Sequence, residues 1–386
     1  MIAVIADDFT GAAEIGGVGL QRGLKVLIET MVSGTGNPDL LVIVSDTRSM
    51  EVEKAKEKIK TLTSQLLKLK PRFIYKKLDS VLRGNIYEEL ISQQEVEGKK
   101  RVIVIPANPH FNRIIKDGIY YVEEVSLAET SFANDPEFPL TSSKVADIIG
   151  NDPSLINCLN VTEELPESGF IVGNVLSDTD LKNWAKRIDD QSVFGGGAGF
   201  FEAVLNLEFA PKIRRGSLQI ADGQKALFIF GSTFPKTVEF ITRLKTGGMA
   251  FINLSEEYFQ DWGHRKGDID EMAENIAGWL NQDRKVVVTT IFSDSPGVEI
   301  SPELVRQEIG LLVKKVFQLA EINELYIEGG ATASQIMRNL NISHLTPVRE
   351  LDYGIIQMKV EAYPGLNLIT KPGSYSWPDC VIPDSN

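Results

Sequence analysis

Four short apolar runs in the first half of the chain each end on side chains that can do chemistry. Val4-Ile5-Ala6 leads into Asp7-Asp8-Phe9-Thr10-Gly11, and Val42-Ile43-Val44 leads into Ser45-Asp46-Thr47-Arg48. Phe73-Ile74-Tyr75-Lys76 leads into Lys77-Leu78-Asp79-Ser80, and Ile103-Val104-Ile105 into Pro106-Ala107-Asn108-Pro109. Carboxylates so placed can orient or deprotonate a hydroxyl, and Lys77, Arg48 and Arg83 can meet an anion. The set suits a small ligand that is polar, hydroxylated and partly anionic. Taken singly, an Asp after a strand can be only a helix cap, because its side chain satisfies unpaired N–H groups. Asp79 and Ser80 can likewise cap a helix starting near Gly84, and Arg83 can be a solvated surface charge. The convergence of four strand ends points to a site, because ligands of open parallel sheets bind beyond the carboxyl ends of the strands.

The second half follows the same grammar with a different chemical bias. Leu227-Phe228-Ile229-Phe230 enters Gly231-Ser232-Thr233, and Leu325-Tyr326-Ile327-Glu328 enters Gly329-Gly330-Ala331-Thr332. Small residues directly before a helix let backbone N–H groups approach phosphate oxygens at the positive end of the helix dipole. This half therefore reads as built for a phosphate-bearing ligand, although either turn alone can need its glycines only for tight bending. Two familiar nucleotide patterns fail. Pro235 precedes Lys236 where a P-loop needs glycine, and the glycines at 16–19 and 195–199 do not make the dinucleotide spacing. Glu29, ending the second apolar run, is the one feature that suits a dinucleotide.

The elements that must position these residues alternate as strand and helix. Strands are expected near 2–6, 25–29, 40–45, 72–77 and 101–105, with helices near 10–22, 51–69 and 84–97. Residues 119–165 are less regular; a strand ending at Val172 and helices near 178–190 and 198–208 follow. Residues 209–224 lose the periodicity and carry Pro, Gly and charge, as a linker does. Strands near 226–230, 249–253, 285–290 and 325–328 then alternate with helices near 233–244, 268–282, 302–320 and 332–340. The tail from 347 reads as two or three strands. The expected architecture is α/β: two doubly wound, mostly parallel-sheet domains with a ligand cleft between them. Residues 1–212 are expected as one domain, 213–224 as a linker and 225–386 as a second domain.

Composition narrows the function classes. With 40 Lys and Arg against 53 Asp and Glu, the net charge of -13 disfavours nucleic acid and anionic membrane surfaces as partners. No apolar run reaches the roughly 18 residues that span a bilayer, and the start has no basic, signal-like region. Cys158 and Cys380 alone, far apart, fit a reducing cytoplasm, and His110, His264 and His344 offer no zinc-like spacing.

The segments Ala6-Asp7-Asp8-Phe9-Thr10-Gly11-Ala12 and Lys77-Leu78-Asp79-Ser80-Val81-Leu82-Arg83-Gly84 resemble the four-carbon acid sugar kinase family. Further matches are Pro106-Ala107-Asn108-Pro109 with Arg113 and Asp117-Gly118, the Gly231-Ser232 turn, Gly329-Gly330-Ala331-Thr332 and Lys371-Pro372-Gly373. The resemblance covers the whole chain and implies an N-terminal substrate domain, a C-terminal nucleotide domain and a possible homodimer. It implies phosphorylation by ATP of the terminal hydroxyl of a tetronate such as threonate, erythronate or 3-oxo-tetronate. Asp8, Lys77, Asp79 and Arg83 would then lie at the acid sugar, joined by Asp7, Asp46, Ser80 and Asn108 from the same strand ends. Ser232, Gly329, Gly330, Ala331, Thr332 and Gly373 would contact ATP. The chain departs from the family at Ala331, where Glu is usual, and at Leu78 and Val81, where Thr is usual. It also has Asn112-Arg113 for Gly-Arg, and Lys371-Pro-Gly-Ser-Tyr-Ser for Lys-Ser-Gly-Asn-Phe-Gly.

On this reading the γ-phosphoryl group passes in line from MgATP to a primary hydroxyl, with no covalent enzyme intermediate. Asp8 orients or deprotonates the hydroxyl, with Asp7 as the competing choice, and closure of the cleft excludes water. Arg83 or Lys77 holds the substrate carboxylate, Arg being better suited by its planar fork. Because both ligands are anions in an acidic protein, Lys77, Arg83, Lys371, helix N-termini and Mg2+ must act locally. An NAD-dependent dehydrogenase and a non-catalytic acid-sugar or nucleotide sensor are the alternatives.

Overall fold

A computed structural model describes residues 1–386 except 136, 151, 214–223, 232–234, 247, 261–267, 283, 291–299 and 382–386. The chain divides into two compact units, Met1–Arg214 and Arg215–Asn386. Most of the segment expected as a linker, 213–224, lies outside the described residues.

The first unit is built on a parallel sheet. Its strands are β1 (Ile2–Ala6), β2 (Val26–Glu29), β3 (Leu40–Val44), β4 (Ile74–Lys77) and β5 (Arg101–Ile105). A separate antiparallel sheet follows, of β6 (Arg113–Lys116), β7 (Ile119–Val122) and β8 (Val125–Ser126). The chain then returns to the main sheet with β9 (Ile156–Leu159), β10 (Gly169–Gly173) and β11 (Ser192–Gly196), giving the order β2-β3-β1-β4-β11-β5-β10-β9. Every residue of β1, β3 and β4 is buried, as required of parallel strands covered on both faces. The covering helices include α1 (Phe9–Gln21), α2 (Val52–Lys68) and α3 (Ile86–Glu97). α2 buries Ala55, Ile59, Leu62 and Leu66 at helical spacing, and three of these pack with Ala3, Ile5, Leu41, Ile43 and Ile74.

Register places the strand ends level with one another. Ala6 stands beside both Val44 and Lys77, and Gly196 beside both Lys77 and Ile105. The residues following four expected strands therefore emerge along one edge of one sheet. β11 adds a fifth end: the Gly196 carbonyl accepts from Leu78 N at 3.0 Å, and the Ile105 carbonyl accepts from Gly197 N at 3.1 Å. These bonds fix the chain immediately before Asp79.

The second unit contains β12 (Ala226–Phe230), β13 (Ala250–Asn253), β14 (Val286–Thr289), β15 (Glu324–Glu328), β16 (His344–Asp352), β17 (Ile355–Val360) and β18 (Tyr363–Lys371). The order β13-β14-β12-β15-β18 is parallel, and β17 and β16 continue it antiparallel. Phe230, Glu328, Lys371 and Thr289 are level, so the turns after β12, β15 and β18 share an edge. The core beneath is aromatic: Phe228 stacks on Tyr326 with centroids 4.3 Å apart, and Trp377 from the tail meets Phe230 edge-on.

Three local differences from the sequence reading have clear causes. Just ahead of the segment read as irregular, β6 is joined to β7 at Asp117-Gly118, whose φ angles of 51° and 74° make the left-handed two-residue turn that matches strand twist. β7 and β8 turn through Glu123-Glu124 at φ 51° and 69°, a conformation for which glutamate gives no compositional signal. The third helix starts at Ile86, not at Gly84, because Asp79 closes a preceding turn instead of capping the helix.

The edge at β11 tolerates no side chain. A Cβ on Gly196 would lie 2.0 Å from the Ile105 carbonyl oxygen, a backbone atom that cannot rotate away. Gly196→Ala is expected to cost more than about 2 kcal/mol and lower the melting temperature of this unit by about 4–8 °C. A melt within about 1 °C of the parent would refute the crowding argument.

Candidate active site

Asp8 adopts an extended conformation ahead of α1 and caps it: Oδ1 accepts from Gly11 N at 2.7 Å, and Oδ2 accepts from the Thr10 hydroxyl at 2.8 Å. The cap reading of this aspartate is thus realised. Arg48, at the end of β3, spans three carboxylates. Its Nε donates to Asp7 Oδ2 at 2.7 Å, Nη1 pairs with Asp8 Oδ2 at 3.0 Å, and Nη2 pairs with Asp79 Oδ1 at 3.3 Å. Burial would push the Asp8 carboxyl up, but Arg48, Lys77 and the bonds from Gly11 and Thr10 hold it below the usual range. Asp8 is therefore an anion at neutral pH. A carboxylate has about four acceptor positions, and the bonds to Gly11, Thr10 and Arg48 leave about one for a ligand O–H. Asp7 differs: its Oδ1 is buried with no hydrogen-bond partner.

Asp79 is gripped from two sides. Arg83 donates from Nε to Oδ2 at 2.9 Å and from Nη2 to Oδ1 at 2.8 Å, and Val81 N adds a bond of 3.0 Å. Burial again opposes ionisation, and Arg83 and Arg48 overcome it, holding Asp79 well below the usual range. The Arg83 fork expected at the substrate carboxylate thus faces Asp79, and its Nη1 donates to Asp135 Oδ2 at 2.8 Å. Lys77 is also engaged: its ammonium donates to the Leu78 carbonyl at 2.9 Å and lies 3.4 Å from Glu14 Oε2. The Ser80 hydroxyl accepts from Arg113, and its carbonyl accepts from the Tyr120 hydroxyl. Asn108 is buried beside Gly199, and Asp46 is half-buried in the turn after β3 at φ 52°. Arg48 thus joins Asp7, Asp8 and Asp79, and through Asp79 also Arg83, in one network, with Lys77 near enough to help lower the Asp8 carboxyl, while Ser80 is held by Arg113 and Tyr120.

In the second unit, Ser232 lies outside the described residues. Gly329 takes φ 93° and precedes the helix Gly330–Asn339, which no side chain caps. A Cβ on Gly231 would come 2.8 Å from Thr332 Oγ1, so the first turn approaches the second closely. Gly330, Ala331 and Thr332 therefore begin a helix whose first N–H groups meet no side-chain cap among the described residues. Gly373 is half-buried in the turn after β18. Lys371, expected to face an anionic ligand, instead has no exposed surface: its ammonium lies 3.1 Å from Glu328 Oε2 and donates to the carbonyls of Pro372, Gly373 and Tyr375. Glu29, the one dinucleotide-like feature, accepts from Ser33 N at 3.1 Å.

The first unit thus carries a network of buried aspartates and cations along one strand edge, and the second a diglycine helix start with no side-chain cap. The sequence comparisons agree. Residues 2–204 match the family described as a sugar-binding N-terminal domain, and 227–375 the nucleotide-binding C-terminal domain. The chain belongs to the four-carbon acid sugar kinase family. It is 24% identical to a D-threonate kinase of Salmonella typhimurium over 370 residues, covering 86% of this chain and 85% of that one. It is 23% identical to a D-erythronate kinase of Heliobacterium modesticaldum (89% and 86% covered) and 22% to a 3-oxo-tetronate kinase of Brucella melitensis (97% and 92%). A solved Haemophilus influenzae structure aligns with a TM-score of 0.69 at 19% identity, covering 98% of both chains, which shows a shared fold. These findings do not favour the dehydrogenase or the sensor. Among the described residues no helix is long and apolar enough to cross a membrane.

Several partners were not among the residues chosen from sequence. Arg48 was visible as a cation at a strand end, but its place at the centre of three aspartates depends on register. Glu14 lies two turns into α1, where its type suggests solvent. Asp135 comes from the irregular middle with no local signal at all.

The Asp79 pairing gives a signed prediction. Its carboxyl is depressed in the folded state, so the associated stability is complete above the unfolded value near pH 4 and is lost as pH falls through the lower folded value. Asp79→Asn is expected to be less stable than the parent at pH 7 by about 2 kcal/mol or more, with a gap that narrows below about pH 4. Melts at pH 7 and pH 3 test this; a gap unchanged with pH would exclude the charge as its cause.

Proposed function

We propose that the protein transfers the γ-phosphoryl group of ATP to the terminal hydroxyl of a four-carbon acid sugar: threonate, erythronate or 3-oxo-tetronate. The observation that carries this is Asp8, an anionic carboxylate with an acceptor position to spare, fixed at the edge where β1, β3 and β4 end level. Asp8 accepts the hydrogen bond of the attacking hydroxyl and aims its oxygen. Because phosphoryl transfer proceeds through a loose transition state, aiming and charge neutralisation matter more than a strong base. The depressed Asp8 carboxyl suits that role: it stays ionised and takes the proton late.

The substrate carboxylate is met by N–H groups that Arg48 and Arg83 retain beyond their contacts with aspartates, each guanidinium having five. Ser80 and Asn108 supply hydrogen bonds to the remaining hydroxyls. In the second unit, the open helix start at Gly330–Thr332 and the turn at Gly373 receive phosphate oxygens, with Ser232 as a further contact. Ala331 makes this turn smaller and less acidic than the Glu usual in the family, which lowers repulsion against the phosphates. Mg2+ takes hard oxygen donors and is carried mainly by phosphates, neutralising their charge. A reaction drawing on ATP belongs in the cytoplasm.

The direct test is release of ADP from MgATP in the presence of each four-carbon acid sugar. Turnover on none of them, with measurable sugar binding, would leave a binding protein in place of a kinase. Asp8→Asn retains a good helix cap, so the fold should survive. Its kcat is expected to fall by about 10²- to 10⁴-fold. Near-parental turnover by a folded Asp8→Asn would transfer the role to Asp7.

A further inference from the structure

Glu328 is the last residue of β15 and is fully buried. Its Oε1 accepts from the Thr237 hydroxyl, and its Oε2 accepts from Trp377 Nε1 at 2.9 Å and lies 3.1 Å from the Lys371 ammonium. A carboxylate at such a position has lost its water, and this set of partners supplies the hydrogen bonds and the cation that offset that loss. Lys371 is equally confined. It reaches the carbonyls of Pro372 at 2.8 Å, Gly373 at 3.2 Å and Tyr375 at 2.6 Å, and its charge lies 5.7 Å from the centre of the Trp377 ring. An ammonium has three N–H groups, and four oxygens already compete for them. None remains for a phosphate.

The direction of those carbonyls has a consequence for the loop. In a trans peptide the C=O and the following N–H point in opposite directions, and none of the described bonds is cis. Three carbonyls turned in toward Lys371 therefore turn the N–H groups of Gly373, Ser374 and Ser376 the other way. Gly373 and Ser374 give two successive N–H groups directed to that side, the arrangement of an anion-accepting concavity, while Tyr375 N turns back to the Pro372 carbonyl at 3.1 Å. The loop is tied to its neighbour as well, since Gly329 N donates to the Lys371 carbonyl at 2.9 Å. Glu328 thus sits at the root of both turns assigned to the nucleotide.

We propose that Glu328 and Lys371 are the positioning pair of the nucleotide site. Lys371 does not touch the phosphates; it gathers the carbonyls of Pro372, Gly373 and Tyr375 so that the loop presents amides to them. Glu328 neutralises and anchors that ammonium while fixing the 329–332 turn. The pair does by internal geometry what a phosphate-facing lysine does by charge. Burial lowers the Lys371 pKa, with Glu328 opposing that shift, so the pair is also the element that keeps the lysine charged.

The inference rests on the kinase reading, and equilibrium titration with ATP and with ADP separates the two. Parental protein that binds neither nucleotide sinks both. Given parental binding, Glu328→Gln keeps the shape and removes the charge, and the nucleotide Kd is expected to rise about tenfold or more. The Kd for the acid sugar should stay within about twofold, and the KM for ATP should rise more than kcat falls. Lys371→Met is expected to do the same, and Lys371→Arg, which keeps charge and donors, should restore part of the affinity. If Lys371→Met cuts kcat at saturating ATP by more than about a hundredfold while nucleotide Kd is unchanged, the lysine acts on the reacting phosphate and the proposal is wrong. Unchanged nucleotide Kd in a folded Glu328→Gln would overturn it as well. Trp377, bonded to Glu328, supplies a fluorescence check that the second unit remains folded in each variant.

Discussion

A carboxylate taken out of water must be matched by a cation or by several N–H groups, or it loses its charge. Both units are organised around that requirement. In the first, Asp7, Asp8 and Asp79 are buried where strands end, and Arg48 lies within reach of all three. In the second, Glu328 is buried at a strand end and Lys371 lies against it. Arg48 and Lys371 each come from a different strand end from the acids they pair with. A charge pair of this kind therefore holds only if the strands end level.

That link runs from sheet geometry to site electrostatics. A slip of one residue between parallel strands would move a side chain to the opposite face of the sheet. Val44 and Lys77 beside Ala6, and Lys371 beside Glu328, are the registers on which the pairs depend. The burial of β1, β3 and β4 specifies those registers, because covered strands cannot trade an apolar face for a polar one. The glycines of β11 serve the same end by letting its backbone close against β5 where a Cβ would collide. Fold stability and placement of the acids are, in this protein, a single problem.

The features legible in sequence were those with a local signature. Apolar runs of four or five residues ending on Asp, Lys or Gly marked the strand ends, and the Asp7-Asp8-Phe9-Thr10-Gly11 segment marked the start of α1. Asp117-Gly118 carries the composition of its turn, yet Glu123-Glu124 adopts the same backbone without it, so the small antiparallel sheet was hidden inside an irregular stretch. Pairings set by tertiary register were harder still. Arg83 and Asp135 are 52 residues apart, and only the folded chain brings them together. Lys371 was misjudged for a related reason: a lysine beside glycines suggests an anion, whereas this one is consumed by its own loop and by Glu328. Sequence shows which groups have charge; burial decides which of them still have it to offer.

That distinction bears on how an acidic protein handles two anions. With a net charge of -13 the long-range field is unfavourable to both proposed ligands, and the cations nearest each site already face carboxylates. Bulk attraction therefore cannot be the source of affinity. What remains, on the proposed reading, are directional donors: N–H groups left on Arg48 and Arg83, the helix start at Gly330 and the amides of the loop after Lys371. Such donors reward oxygens placed at particular points and give little to an anion of another shape. Cations compensated by internal aspartates also leave no naked positive charge for a stray anion when the ligand is absent. A site built this way trades strength of attraction for discrimination, which is what an enzyme needs if it must separate one four-carbon acid from the many small carboxylates of a cell.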